Sequence, residues 1–164
     1  MKSLFIIRHA KSDQRFFGND FERPLNENGK GDAPLMAKRL KEKQNQVDIF
    51  ISSPATRAKQ TALIFAKEFN TTDEEIIYIP SLYHASPDIF FEVIAELPDN
   101  INSVAVFSHN PGITYFINEL TGSHQINNMP ACAVYAVSAD IVHWSEFKKS
   151  TKEYLFFDHP KLIV

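Results

Sequence analysis

Three short stretches of the chain combine residue types that bind and transfer anionic groups. Arg8-His9 closes the apolar run Leu4-Phe5-Ile6-Ile7. Ser52-Ser53-Pro54 follows Ile49-Phe50-Ile51, with Arg57 shortly after. Ser108-His109-Asn110-Pro111 follows Val104-Ala105-Val106-Phe107. Arginine presents planar, forked donors that match phosphate oxygens and never lose their charge. The start of a helix adds unpaired N–H groups and a partial positive charge. Histidine supplies a nitrogen that can attack or carry a proton near neutral pH. Two His and two Arg gathered in one crevice would therefore suit a phosphoryl group.

Each of these residues has a plainer reading by itself. A His after a strand often only satisfies its surroundings, Arg8 could pair with a carboxylate, and Arg57 could be a solvated helix residue. Arg57 is the more informative, because a cation in the first turn of a helix is unfavourable unless an anion lies near. The repetition of the pattern at three strand ends favours a shared anion site. A metal centre fits poorly: two Arg would repel a dication, and no His/Asp/Glu cluster has ligand-like spacing. No metal or other cofactor is expected.

These residues need a scaffold that brings strand ends together. The apolar runs, with Ile76-Ile77-Tyr78-Ile79 as a further one, are apolar throughout rather than at every second residue. That pattern belongs to strands covered on both faces. Between them, Ser53-Pro54, Ser86-Pro87 and Asn110-Pro111 each pair a capping side chain with Pro at a first helical position. Apolar residues then recur at steps of three and four: Ala55, Ala58, Ala62, Phe65 and Phe69; Phe90, Val93, Ile94 and Leu97; Ile113, Phe116, Ile117 and Leu120. An earlier helix is expected from Gly31 to Lys43, with Pro34 obscuring its start. Strands are expected over Ala131–Ser138 and around Tyr154–Phe157, joined by a connection whose Trp144 and Phe147 form a satellite core. The reading is a single α/β domain over residues 1–164, three-layered α/β/α with a mostly parallel central sheet. In such sheets ligands gather at the carboxyl ends of the strands.

Composition narrows the function classes. Hydrophobic residues make up 44% and charged residues 23%, as in an ordinary globular domain. The net charge of -3 argues against broad nucleic-acid binding. The single cysteine, Cys132, excludes an internal disulfide and reads as a buried structural thiol. The apolar stretch near the N-terminus is too short for a signal peptide, and no run reaches membrane-spanning length. A cytoplasmic monomer is the expectation.

The same residues resemble a known family. Leu4-Phe5-Ile6-Ile7-Arg8-His9-Ala10-Lys11-Ser12 is similar to the signature of the histidine phosphatase superfamily, which includes the phosphoglycerate mutases. The Lys11-Ser12 ending and the short chain resemble its SixA-type phosphohistidine phosphatase branch. Further matches follow in order: Arg23-Pro24-Leu25-Asn26 with Gly29, Ser52 through Thr61, Leu82-Tyr83-His84-Ala85, and Ser108 through Gly112. The resemblance implies that His9 is the nucleophile and that Arg8, Arg57 and His109 hold the phosphoryl oxygens. It makes Arg23, Ser12 and Asn110 candidate substrate-binding residues, a structural role for Arg23 being equally open.

One role has no occupant. In the mutase branch a carboxylate after the third strand protonates the leaving group, whereas here Leu82-Tyr83-His84-Ala85-Ser86-Pro87 contains none. His84 is the candidate general acid, with a structural or rim role as its alternative; Asp88 falls inside the next helix. A sugar alkoxide needs a proton donor, but imidazole leaves already able to carry a proton. The gap and the short connections, which leave the crevice unroofed, together point to a phosphohistidine on another protein as substrate. The alternatives are a small-molecule phosphomonoesterase and a phosphohistidine-binding module without turnover.

Overall fold

The computed structural model describes residues 1–162, and its sheet has six strands in the order β3-β2-β4-β1-β5-β6. The strands are β1 (Lys2–Arg8), β2 (Ile49–Ser52), β3 (Ile77–Tyr78), β4 (Ser103–Ser108), β5 (Val134–Ala139) and β6 (Lys152–Asp158). The pairs β1–β4, β2–β4 and β2–β3 are parallel, while β5 joins β1 and β6 antiparallel. The helices are α1 (Glu27–Lys43), α2 (Thr56–Glu68), α3 (Pro87–Ala95) and α4 (Gly112–Asn118).

Alternate residues of each strand feed opposite cores, as the pleat requires. Leu4 and Ile6 of β1 pack with Phe90, Ile94, Phe116 and Ile117 of α3 and α4. Phe5 and Ile7 pack with Ala33, Met36, Leu40, Ala62 and Phe65 of α1 and α2. The expected three layers follow directly. Trp144 and Phe147 are fully buried in the α3/α4 core, with Trp144 Nε1 donating to the Ile101 carbonyl at 2.8 Å, so they form part of the main core and not a satellite.

Several boundaries differ from the sequence expectation for local physical reasons. Helix α1 begins four residues before Gly31, because Asn26 caps it by accepting from Gly29 N at 2.8 Å. Pro34 is tolerated inside it on the exposed face, where water can take the carbonyl freed by its missing N–H. Helix α2 starts at Thr56 rather than Pro54, and no side chain caps it. Helix α4 starts at Gly112 rather than Pro111. Strand β3 is two residues long at the sheet edge, with Ile77 exposed, so that run is not covered on both faces. Strand β5 starts at Val134, because Cys132 has a left-handed backbone (φ 61°) that breaks the ladder before it.

Candidate active site

Parallel pairing of β1 with β4 and β4 with β2 places the ends Arg8, Ser108 and Ser52 side by side. His9, Ser53 and His109, the residues just after them, thereby meet. His9 N donates to the Ser108 carbonyl and Ser53 N to the Phe107 carbonyl, extending the ladder into the site. The His9 and His109 rings lie 5.1 Å apart between centroids.

His9 is 6% exposed. Its Nδ1 lies 2.7 Å from the Ala10 carbonyl. A carbonyl can only accept, so Nδ1 carries the proton and Nε2 keeps a lone pair. Nε2 has no hydrogen-bond partner among the described residues. Burial is the main cause that pushes the His9 pKa down to about 3; the Ala10 bond opposes it, and the charges of Arg57, Arg8 and Arg23 each add a lesser push downward. The ring is therefore neutral at ordinary pH, with the Nε2 lone pair unprotonated. Its backbone is held from both sides: Ala10 N donates to Thr61 Oγ1 at 3.0 Å, and Cys132 N lies 3.1 Å from both the Arg8 and His9 carbonyls. Cys132 itself is buried, with its thiol pushed up by desolvation, as a structural thiol should be.

His109 is also buried, and its Nε2 meets Ser53 Oγ at 2.7 Å. Desolvation, then the neighbouring His9 and Arg57, push its pKa down to about 2. His109 is thus neutral, not protonated, at ordinary pH. Arg8 donates Nη1 to the Met129 carbonyl at 2.9 Å. Arg8 Nε, Arg57 Nε and His109 Nδ1 are buried without a hydrogen-bond partner among the described residues. Three such unspent polar atoms in one site are costly unless a ligand uses its remaining donors.

Arg57 lies in the first turn of α2, 5% exposed. The anion its position demands is already present. Asp20 accepts Arg57 Nη1 on its carbonyl at 2.7 Å and Nη2 on its carboxylate at 3.0 Å. Arg23 joins the same carboxylate at 2.8 Å and donates to Ser12 Oγ, and Tyr83 Oη reaches it at 2.6 Å. The Tyr83 hydroxyl first, then Arg23 and Arg57, hold the Asp20 carboxyl well below the usual range.

Arg8, His9, Arg57 and His109 thus come together, with Arg23 and Ser12 at one edge. Asn110 is spent elsewhere: its Nδ2 donates to Asn128 Oδ1 and the Met129 carbonyl, bracing the loop that receives Arg8. His84 is exposed and lines a cleft of about 330 Å³ with His109, Tyr83 and Tyr115. Asp88 faces Lys148 at 3.7 Å and does not line this cleft. Sequence reasoning missed Asp20, whose only signal was an acid three residues before Arg23 in a loop. It also read Ser53 only as a helix cap, whereas the hydroxyl both accepts from Ala55 N at 3.2 Å and meets His109. Among the described residues no cluster of three or more His, Cys, Asp or Glu could hold a metal ion. No helix is long and apolar enough to cross a membrane.

Residues 4–83, which carry Arg8, His9, Ser12, Arg23 and Arg57, match the sequence profile of the histidine phosphatase superfamily (branch 1). Over that stretch, just under half of its length, the chain has the pattern of that superfamily. An uncharacterized protein of Mycobacterium tuberculosis is 33% identical over 105 residues, 64% of this chain and 63% of the relative. One of Mycobacterium leprae is 29% identical over 126 residues, covering 74% and 75%. Among solved structures, a SixA phosphohistidine phosphatase candidate from Agrobacterium tumefaciens superposes with a TM-score of 0.82 at 24% identity, covering 97% of this chain and 98% of its own. The protein histidine phosphatase SixA complexed with tungstate gives 0.82 at 24%, covering 96% and 97%. A mycobacterial glucosyl-3-phosphoglycerate phosphatase gives 0.72 at 14%, covering 97% and 100%. The common fold therefore serves both protein and small-molecule phosphatases.

Proposed function

We propose that this chain is a phosphatase that transfers the phosphoryl group of a phosphohistidine on another protein to His9. The observation that carries this reading is the His9 ring: its Nδ1 is tied to Ala10, and its unprotonated Nε2 lies among Arg8, Arg57 and His109. The Nε2 lone pair attacks phosphorus in line, and the N–P bond to the substrate imidazole breaks with its electron pair passing to that ring. A substrate ring protonated on its other nitrogen leaves as neutral imidazole. The His9 adduct keeps its Nδ1 proton, and the Ala10 carbonyl stabilises the resulting imidazolium. Water then attacks phosphorus, releases inorganic phosphate and returns His9 to its starting form. Phosphoryl transfer of this kind rests on positioning and charge stabilisation, which the guanidinium groups supply.

The choice of an N–P substrate is supported by the lack, among the described residues, of a protonated carboxyl group at the guanidinium cluster. Asp20, the carboxyl group bonded to these guanidinium groups, is held ionised. The SixA complex binds tungstate, a phosphate-like oxyanion, on the same fold. A small-molecule ester is the second reading, and His84 on the cleft beside His109 favours it.

The test compares hydrolysis of a phosphohistidine protein with that of an alkyl phosphate ester. Wild type should prefer the phosphohistidine strongly, and His9→Ala should abolish turnover. A labelled, acid-labile adduct should form on wild type and not on the variant. His84→Ala should leave phosphohistidine hydrolysis within about threefold. Steep loss of ester hydrolysis in that variant, with ester preferred by wild type, would establish the second reading instead.

A further inference from the structure

Asp20 is exposed at the start of a short 3-10 turn, Asp20–Glu22, yet its side chain meets three residues of the site. Its Oδ1 accepts from Arg23 Nε at 3.3 Å and Nη2 at 2.8 Å, and its Oδ2 from Arg57 Nη2 at 3.0 Å and Tyr83 Oη at 2.6 Å. A carboxylate has about four lone-pair positions, so these four donors leave none for a substrate group. Asp20 is therefore saturated and acts through its neighbours. With its carbonyl on Arg57 Nη1, it holds both outer nitrogens of a guanidinium that is otherwise buried. Each of those nitrogens still has a second hydrogen to offer an anion.

The charges are informative as well. With His9 and His109 neutral, Arg8, Arg23 and Arg57 face one carboxylate, which leaves two net positive charges. That balances one phosphoryl dianion. Without Asp20 a third charge would be uncompensated, and the same dianion, as product, would be held more tightly than turnover requires.

We infer that Asp20 is a positioning residue that aims Arg57 while offsetting one charge of the site, so that phosphate binds weakly enough to leave. This rests on the phosphatase reading of the site. A merely structural tie makes the opposite prediction, since losing it would let Arg57 drift and weaken phosphate.

The experiment measures inorganic phosphate binding by calorimetry and as product inhibition, alongside kcat and KM, for wild type, Asp20→Asn and Asp20→Glu. Asp20→Asn removes the charge and two acceptor positions. Phosphate should bind it about three- to tenfold more tightly, the size of one charge interaction across a half-exposed site, while kcat falls about tenfold. Asp20→Glu keeps the charge and should return phosphate binding to near the wild-type value. Asp88→Asn, on the far side of α3, should change neither quantity. Phosphate bound equally or more weakly by Asp20→Asn overturns the inference, as does tight binding retained in Asp20→Glu. Phosphate binding needs no substrate. A wild type that binds phosphate but turns over no phosphohistidine would refute the proposed substrate and leave the Asp20 result standing, whereas one that binds no phosphate refutes both.

Discussion

Lowering the pH should destabilise the fold through its two site histidines, and the size of the effect follows from their burial. Desolvation and neighbouring positive charge push His9 to about 3 and His109 to about 2, against an ordinary 6.5. In the unfolded chain each ring takes up a proton near pH 6.5, whereas in the folded chain it stays neutral until far lower. The unfolded state therefore binds more protons across that interval. This contribution to stability is fully present above pH 6.5 and is lost as pH falls toward 3. Each pH unit costs up to about 1.4 kcal/mol per ring. At about pH 5 the pair would cost at most about 4 kcal/mol, and local opening that admits water brings the expected loss to about 2–4. Urea unfolding at about pH 7 and about pH 5, in phosphate-free buffer, measures it. His9→Asn and His109→Asn each remove one titrating ring, so each should lose about half of the pH sensitivity, whatever its stability at neutral pH. Variants with the same pH dependence as wild type would refute the assignment of buried, neutral rings.

Other substitutions test single contacts. A Cβ at Gly112 would stand 1.9 Å from the Ala85 carbonyl oxygen, a backbone atom that cannot swing aside. Gly112→Ala should cost about 3 kcal/mol and lower Tm by about 6–12 °C, and a thermal melt within about 2 °C of wild type would contradict the packing described. Arg57→Lys keeps the charge but loses the fork that grips Asp20. It should lower kcat about 10²-fold with a smaller change in KM, and a loss below threefold in steady-state kinetics would show the fork to be unimportant. Asp158, 2% exposed, pairs with Arg39 and lies 4.0 Å from Lys43. Asp158→Ala should destabilise by about 3–5 kcal/mol in urea unfolding, because it strands the partly buried Arg39, and an effect under about 1 kcal/mol would argue against a buried pair.

Much of the fold was legible because its signals are local. Continuous apolar runs marked β1, β2 and β4, and steps of three and four marked the inner faces of α2, α3 and α4. Helix starts were less legible wherever a side chain had a stronger partner than its own backbone. Ser53 looks like the cap, but the helix starts two residues later than that reading, and its hydroxyl is shared between Ala55 N, at 3.2 Å, and His109, at 2.7 Å. Asn26, inside a stretch quoted for its family resemblance, turned out to be the cap of α1.

For the site, residue type and position at strand ends were enough to nominate Arg8, His9, Arg57 and His109, since parallel strands in such a sheet must present their carboxyl ends together. What the chain order could not determine is which neighbour each of them meets. Asp20 lies 37 residues before Arg57 and 63 before Tyr83, and its three partners come from a loop, a helix and a 3-10 turn. Asn110 stands beside His109 in sequence, yet its amide turns to the 128–129 loop. The neutral state of both histidines likewise depends on burial by the whole domain and on guanidinium charges brought in from afar. Sequence alone determined which chemical groups arrive at the site, because local periodicity sets the strand ends. Tertiary structure decided their partners, protonation and aim, because hydrogen bonding, desolvation and Coulomb forces act through space and not along the chain.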